Sequence, residues 1–168
     1  ILRHPSEEKV TKNTANLLNL GLENCQIIAG ESEQDFLQLA TLPKATTAVL
    51  YPTEDALRLD EHTATTDAFK QSLNHLIVID GTWKKAYKML QLTPSLRAFQ
   101  TVSFKHIPQN KYVIRKAPRA DSLSTLEAVA HSLKLIEGID VTPLYRLLAA
   151  LVDKQTQHMP DDVKARYL

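Results

Sequence analysis

One cysteine in 168 residues, Cys25, excludes an intrachain disulfide and any cysteine-cluster zinc site, and nothing around it marks the thiol as activated. Glycine is scarce, with four in all, and no G-x-G-x-x-G occurs, which weighs against a dinucleotide enzyme. No apolar stretch approaches the ~20 residues of a membrane-spanning helix. No signal-peptide layout opens the chain, so the expected compartment is the cytoplasm. His62, His75, His106, His131 and His158 match no ligand spacing, and no metal is expected. With 43% apolar and 23% charged residues, the composition is that of a soluble globular protein forming one domain, residues 1–168. The opening at Ile1, inside an Ile-Leu-Arg stretch of strand character and without methionine, reads as missing N-terminal sequence.

Acidic residues are absent from one long segment. Between Lys84 and Arg119 there are nine Lys or Arg and no Asp or Glu, leaving eleven basic against all nineteen acidic residues elsewhere. The net charge of +1 therefore conceals a middle of +9 and a remainder of −8. A single-sign segment of this kind reads as a footprint for phosphates. The alternative is a solvated face whose lysines are balanced in space by acidic neighbours.

Helical and extended segments alternate along the chain. Residues 12–19 predict a short helix stopped by Gly21, residues 26–29 a brief strand, and residues 33–40 a helix through Phe36, Leu37 and Leu39. Residues 46–51 and 76–79 are continuously apolar, as strands covered on both faces are, and residues 112–115 are a third strand candidate. A Ser124-x-x-Glu127 capping box predicts a helix over Thr125–Glu137 closed by Gly138, and Glu127 is read as its cap rather than a catalytic acid. A last helix starts at Thr142, with Pro143 at its first position, and runs to about residue 159. The predicted architecture is a compact α/β domain.

Three loops follow the three strand candidates: Leu50-Tyr51-Pro52, Asp80-Gly81-Thr82-Trp83, and residues 115–128. In α/β sheets the carboxyl ends of parallel strands face a crevice, and Gly81 lets backbone approach a ligand there. Asp80 and Thr82 can equally do no more than satisfy backbone amides while Trp83 fills core. Leu50, Tyr51 and Pro52 offer an apolar wall, the Ser122-Leu123-Ser124-Thr125 stretch adds hydroxyls and helix-start amides, and Thr125 and Leu126 can flank a flat apolar ring. Arg115, Lys116 and Arg119 suit a carboxylate or a phosphate, although Asp121 is close enough to pair with any of them.

These loops, together with the opening HPSEEKVTKNTANLL, resemble the DTW-domain family, the tRNA-uridine aminocarboxypropyltransferases, whose members are similar to the knotted SPOUT methyltransferases. The likeness runs from His4 to Gly138 in order, and the DGTW and LSTLEA pair carries most of its specificity. Many bacterial members have a cysteine-rich zinc knuckle before the HP-x-E motif; none precedes it in this chain, and Lys12-Asn13-Thr14 replaces the usual threonine start of the next motif. The resemblance implies a SPOUT-like parallel sheet flanked by helices with a C-terminal trefoil knot.

It also implies S-adenosylmethionine as cofactor and tRNA as partner, with transfer of the aminocarboxypropyl group to uridine N3 and release of methylthioadenosine. Oligomeric state is left open, with a monomer the first expectation. The implied cofactor residues are Leu50, Tyr51, Pro52, Asp80, Gly81, Thr82, Trp83, Arg115, Leu123, Ser124, Thr125 and Leu126. Asp80 and Trp83 are the implied catalytic pair, Asp80 as the base for the uracil proton or as a positioning group. Lys84, Lys85, Lys88, Lys116, Arg119, His4, Glu7 and Asn13, with Thr14, fall on the RNA side. A knotted RNA methyltransferase and a noncatalytic RNA-binding module are the alternatives.

Overall fold

The structure is a computed structural model describing residues 1–112, 122–157 and 159–160. Its strands are β1 (Leu2–Arg3), β2 (Ile28–Ala29), β3 (Thr47–Leu50), β4 (Leu57–Arg58), β5 (His75–Asp80) and β6 (Gln100–Ser103). Its α-helices are α1 (Ala15–Gly21), α2 (Ala64–Ser72), α3 (Trp83–Leu92), α4 (Thr125–Glu137) and α5 (Thr142–Thr156). The strands form one sheet in the order β2-β1-β5-β3-β6-β4, and every pair is parallel. The expectation of an α/β domain with a parallel sheet flanked by helices is met.

The two most apolar runs become the central strands because both of their faces are covered. In β5 the alternation of a pleated strand sends Ile77 to one face and Val78 to the other. Val78 joins Leu18, Tyr112, Leu126, Val129, Leu144 and Leu148 under α1, α4 and α5. Ile77 joins Leu2, Phe36, Val49, Met89 and Leu96 beneath α3 and the short 3-10 segments. Register levels the strand ends, with Leu50 opposite both Val78 and Val102. The loops leaving β3, β5 and β6 therefore emerge side by side.

Helix α4 has the bounds read from sequence. Ser124 and Glu127 form the reciprocal capping box, and Gly138 ends the helix at φ 67°. Other expectations are corrected. Helix α1 starts at Ala15 because Asn13 and Thr14 turn their side chains toward the end of β5 and the start of α4. Gly21 lies inside α1 rather than beyond it. A Cβ there would stand 2.7 Å from Leu144 Cδ2, so the glycine serves close packing of α1 on α5. The 33–40 helix is instead 3-10 over Glu33–Thr41 with a kink at Phe36 (φ −124°, ψ 33°). Helix α5 ends at Thr156.

Tyr112 is described outside any strand, and the rest of the 112–115 candidate, with Arg115, Lys116, Arg119 and Asp121, lies outside the described residues. The third strand of the site is β6, which the sequence reading omitted. Among the described residues no helix is long and apolar enough to cross a membrane, and no cluster of His, Cys, Asp or Glu is placed to hold a metal.

Candidate active site

The level ends of β3, β5 and β6 open onto a cleft of about 540 Å³. From β3 come Leu50, Tyr51 and Pro52. From β5 come Val78 and Ile79, followed by Gly81, Thr82 and Trp83. Leu123, Ser124 and Thr125 come from the start of α4. Three segments singled out in the sequence thus share one wall. Ser122 and Ala128, within the 115–128 loop, also line it, whereas sequence reasoning missed Ala86, Ser103, Phe104, Ile107, Asn110 and Tyr112. The exit of β6 was the missing signal, since it delivers Ser103 and Phe104 beside β3.

Thr82 starts α3 by accepting the Lys85 amide, so the turn after β5 is fixed by its own cap. Gly81 lies tight against its surroundings, with a Cβ there reaching 3.3 Å from Lys85 and 3.6 Å from His4. Trp83 is anchored on the rim: its indole Nε1–H donates to Ser122 Oγ at 3.1 Å, and its ring meets Tyr51 edge-on at 6.2 Å between centroids. Burial, together with the neighbouring Tyr87, pushes the Tyr51 phenol up from its ordinary pKa.

Asp80 sits behind this wall. It is 2% exposed and does not line the cleft. The Asn13 amide donates to Asp80 Oδ2 at 2.7 Å, and the Thr125 hydroxyl donates to Oδ1 at 2.5 Å. The Asp80 carbonyl accepts the His4 amide. Leu126 is likewise not in the cleft: its side chain is core, and its amide donates to Thr14 Oγ at 3.2 Å. Asn13, Thr14 and Asp80 together fasten the N-terminal segment and β5 to the first turn of α4. Glu127 extends the fastening, accepting Ser124's amide and hydroxyl with one oxygen and the amides of Lys111 and Tyr112 with the other.

The basic segment is less bare in space than in sequence. Lys85 pairs with the buried Glu7 at 2.8 Å, Lys88 with Glu31 at 2.8 Å, and Lys105 with Glu61 at 2.9 Å. Lys111 lies 4.7 Å above the Tyr145 ring. His4 shares Glu31 with Lys88, and these partners hold the Glu31 carboxyl below its ordinary range. His4, Glu7 and Asn13 do not line the cleft; they brace the back of the β5 turn and α3. Lys84 has no ion pair among the described residues.

The DTW domain family model matches residues 1–156. The chain is 32% identical over 146 residues to tRNA-uridine aminocarboxypropyltransferase 2 of Drosophila melanogaster, covering 82% of this chain and 55% of that protein. It is 33% identical over 165 residues to proteins of the same name from Macaca fascicularis and Mus musculus, covering 94% of this chain and 54% of each. The chain thus spans about half the length of these relatives. No solved structure matches it significantly.

Proposed function

The chain belongs to the DTW-domain family, and on that premise we propose that it transfers the 3-amino-3-carboxypropyl group of S-adenosylmethionine to N3 of a uridine in tRNA, releasing methylthioadenosine. The observation that carries this reading is the convergence of Leu50–Pro52, Gly81–Trp83 and Leu123–Thr125 on one cleft at the carboxyl ends of parallel strands. The reading includes a SPOUT-like trefoil knot in the C-terminal half and a cytoplasmic location. Arg115 is assigned the cofactor carboxylate, and Lys116 and Arg119 RNA phosphates, on the family likeness alone.

The donor set fits the cofactor. S-adenosylmethionine has no phosphate and needs no glycine-rich loop. Leu50, Pro52, Val78 and Ile79 offer apolar faces to an adenine, and Asn110, Ser122 and Ser124 offer polar groups around it. When bound, the cofactor supplies an electrophilic carbon beside its sulfonium and a neutral thioether as leaving group. The cleft's part is to decide which carbon lies in line with the nucleophile and to keep water out.

Uracil N3 carries a proton that must leave before it attacks. Thr125 lines the cleft and donates its own hydrogen to Asp80, so the lone pairs of Thr125 Oγ remain as acceptors on the cleft side. In this reading Thr125 Oγ takes the N3 proton as its own passes to Asp80 Oδ1, leaving Thr125 neutral and the carboxyl protonated. Asn13 holds the other oxygen in place.

Incubation of tRNA with protein and S-adenosylmethionine, followed by nucleoside and cofactor-product mass spectrometry, tests the proposal. Aminocarboxypropyluridine with methylthioadenosine is expected. Methyluridine with S-adenosylhomocysteine would make the chain a methyltransferase, and binding of tRNA without any cofactor binding would make it an RNA-binding module.

A further inference from the structure

Trp83 and Tyr87 stand one turn apart on the same side of α3, exposed by 42% and 57%. Large aromatic rings left in water at the edge of a polar-rimmed cleft mark a contact surface. Trp83 is not free to turn, since Ser122 holds its nitrogen and Tyr51 abuts its ring. Its open surface is preformed. Tyr87 lies beyond the cleft lining and continues that surface outward. Lys84 and Lys88 form the next stripe around the helix; Lys84 has no ion pair among the described residues, and the Lys88 side chain is 59% exposed despite its bond to Glu31.

Aromatic faces edged by cations match a nucleobase joined to phosphate. Every base has a π face, and base–aromatic stacking tolerates sequence. A duplex keeps its bases stacked on one another and offers no free face, whereas an RNA loop does. Taking RNA as substrate from the transfer reading above, we propose that Trp83 and Tyr87 form a stacking platform for unpaired bases flanking the target uridine, with Lys84 on the adjoining phosphate.

Trp83 is the chain's single tryptophan, so its fluorescence reports the platform directly. With S-adenosylmethionine held constant, a short single-stranded oligouridine should quench it, and a blunt RNA duplex of the same length should not. Tyr87→Ala should weaken oligouridine binding by roughly 5- to 150-fold, the loss of one stacked base. Its salt dependence and cofactor affinity should stay unchanged, because no charge and no cleft residue is removed. Tyr87→Phe should bind like wild type. Equal oligouridine binding by a folded Tyr87→Ala, or equal quenching by duplex and single strand, overturns the platform and leaves the transfer reading standing. Failure of wild type to bind the oligouridine also overturns the platform, while the transfer reading is decided separately by the nucleoside products from tRNA; quenching by a polyglutamate peptide in place of RNA assigns the face to an acidic protein.

Discussion

Asp80 has no open oxygen. Asn13 and Thr125 each donate to one, at 2.7 and 2.5 Å, and the residue is enclosed between β5, the N-terminal segment and α4. Any role in proton transfer therefore passes through Thr125, and the two residues should fail together. Asp80→Asn should slow transfer by about 10²-fold or more, and Thr125→Val should do the same, while Thr125→Ser should retain most of the rate. Both slow variants should recover activity at high pH, where uridine itself ionises and needs no base. If Asp80→Asn loses activity solely because S-adenosylmethionine no longer binds, Asp80 is a positioning residue and the base lies elsewhere. Sequence placed Asp80 at a strand end, where the structure has it. Its enclosure was not legible, because Asn13 lies 67 positions away and Thr125 lies 45.

Elements whose signals are local were read well. Helix α4 announces itself by a capping box within four residues and ends at a left-handed glycine, and β5 by an unbroken apolar run. Strand β6, Gln-Thr-Val-Ser, carries neither alternation nor an apolar run, and only tertiary packing makes it regular; helix α2 has a Thr63 cap but buries only Thr66 and Lys70, so no apolar face announces it. The loop after β6 is tied down by a side chain from the loop after β4. Asp60 accepts the amides of Lys105 and His106, each at 2.7 Å, and the His106 ring at 3.1 Å. Burial alone would raise the Asp60 carboxyl's pKa, but these donors together hold it below its ordinary value. A depressed folded pKa gives stability that is present above the unfolded pKa, about 4, and lost as pH falls through the folded value. Asp60→Asn should therefore cost about 1–2 kcal/mol near neutral pH. In urea unfolding the gap from wild type should narrow below about pH 4. A gap that stays constant with pH would show that the carboxylate's charge contributes nothing.

At the scale of the whole molecule, charge is the property that the linear sequence misstates. The acid-free stretch beginning at Lys84 receives its counterions from outside itself: Glu7 reaches Lys85 across 78 positions, and Glu31 reaches both Lys88 and His4. Counting along the chain could not foresee this, since ion pairs are set by which elements the sheet brings together. The pairing predicts that α3 presents fewer effective cations to RNA than its lysines number. Lys84→Ala should lower the slope of log affinity for tRNA against log salt by about 0.7 to 0.9, the value of one phosphate contact. Lys88→Gln should change the slope less, because Glu31 already occupies its ammonium. Glu31→Gln frees Lys88 and should raise tRNA affinity at low salt, steepening the slope toward that of a further full contact. In the Glu31→Gln background, Lys88→Gln should then cost that contact, so the two substitutions are non-additive. Filter-binding titrations over a salt series measure wild type and all four variants. Equal slopes for wild type and Glu31→Gln would mean that Lys88 faces no phosphate, confining the electrostatic part of the RNA surface on α3 to Lys84.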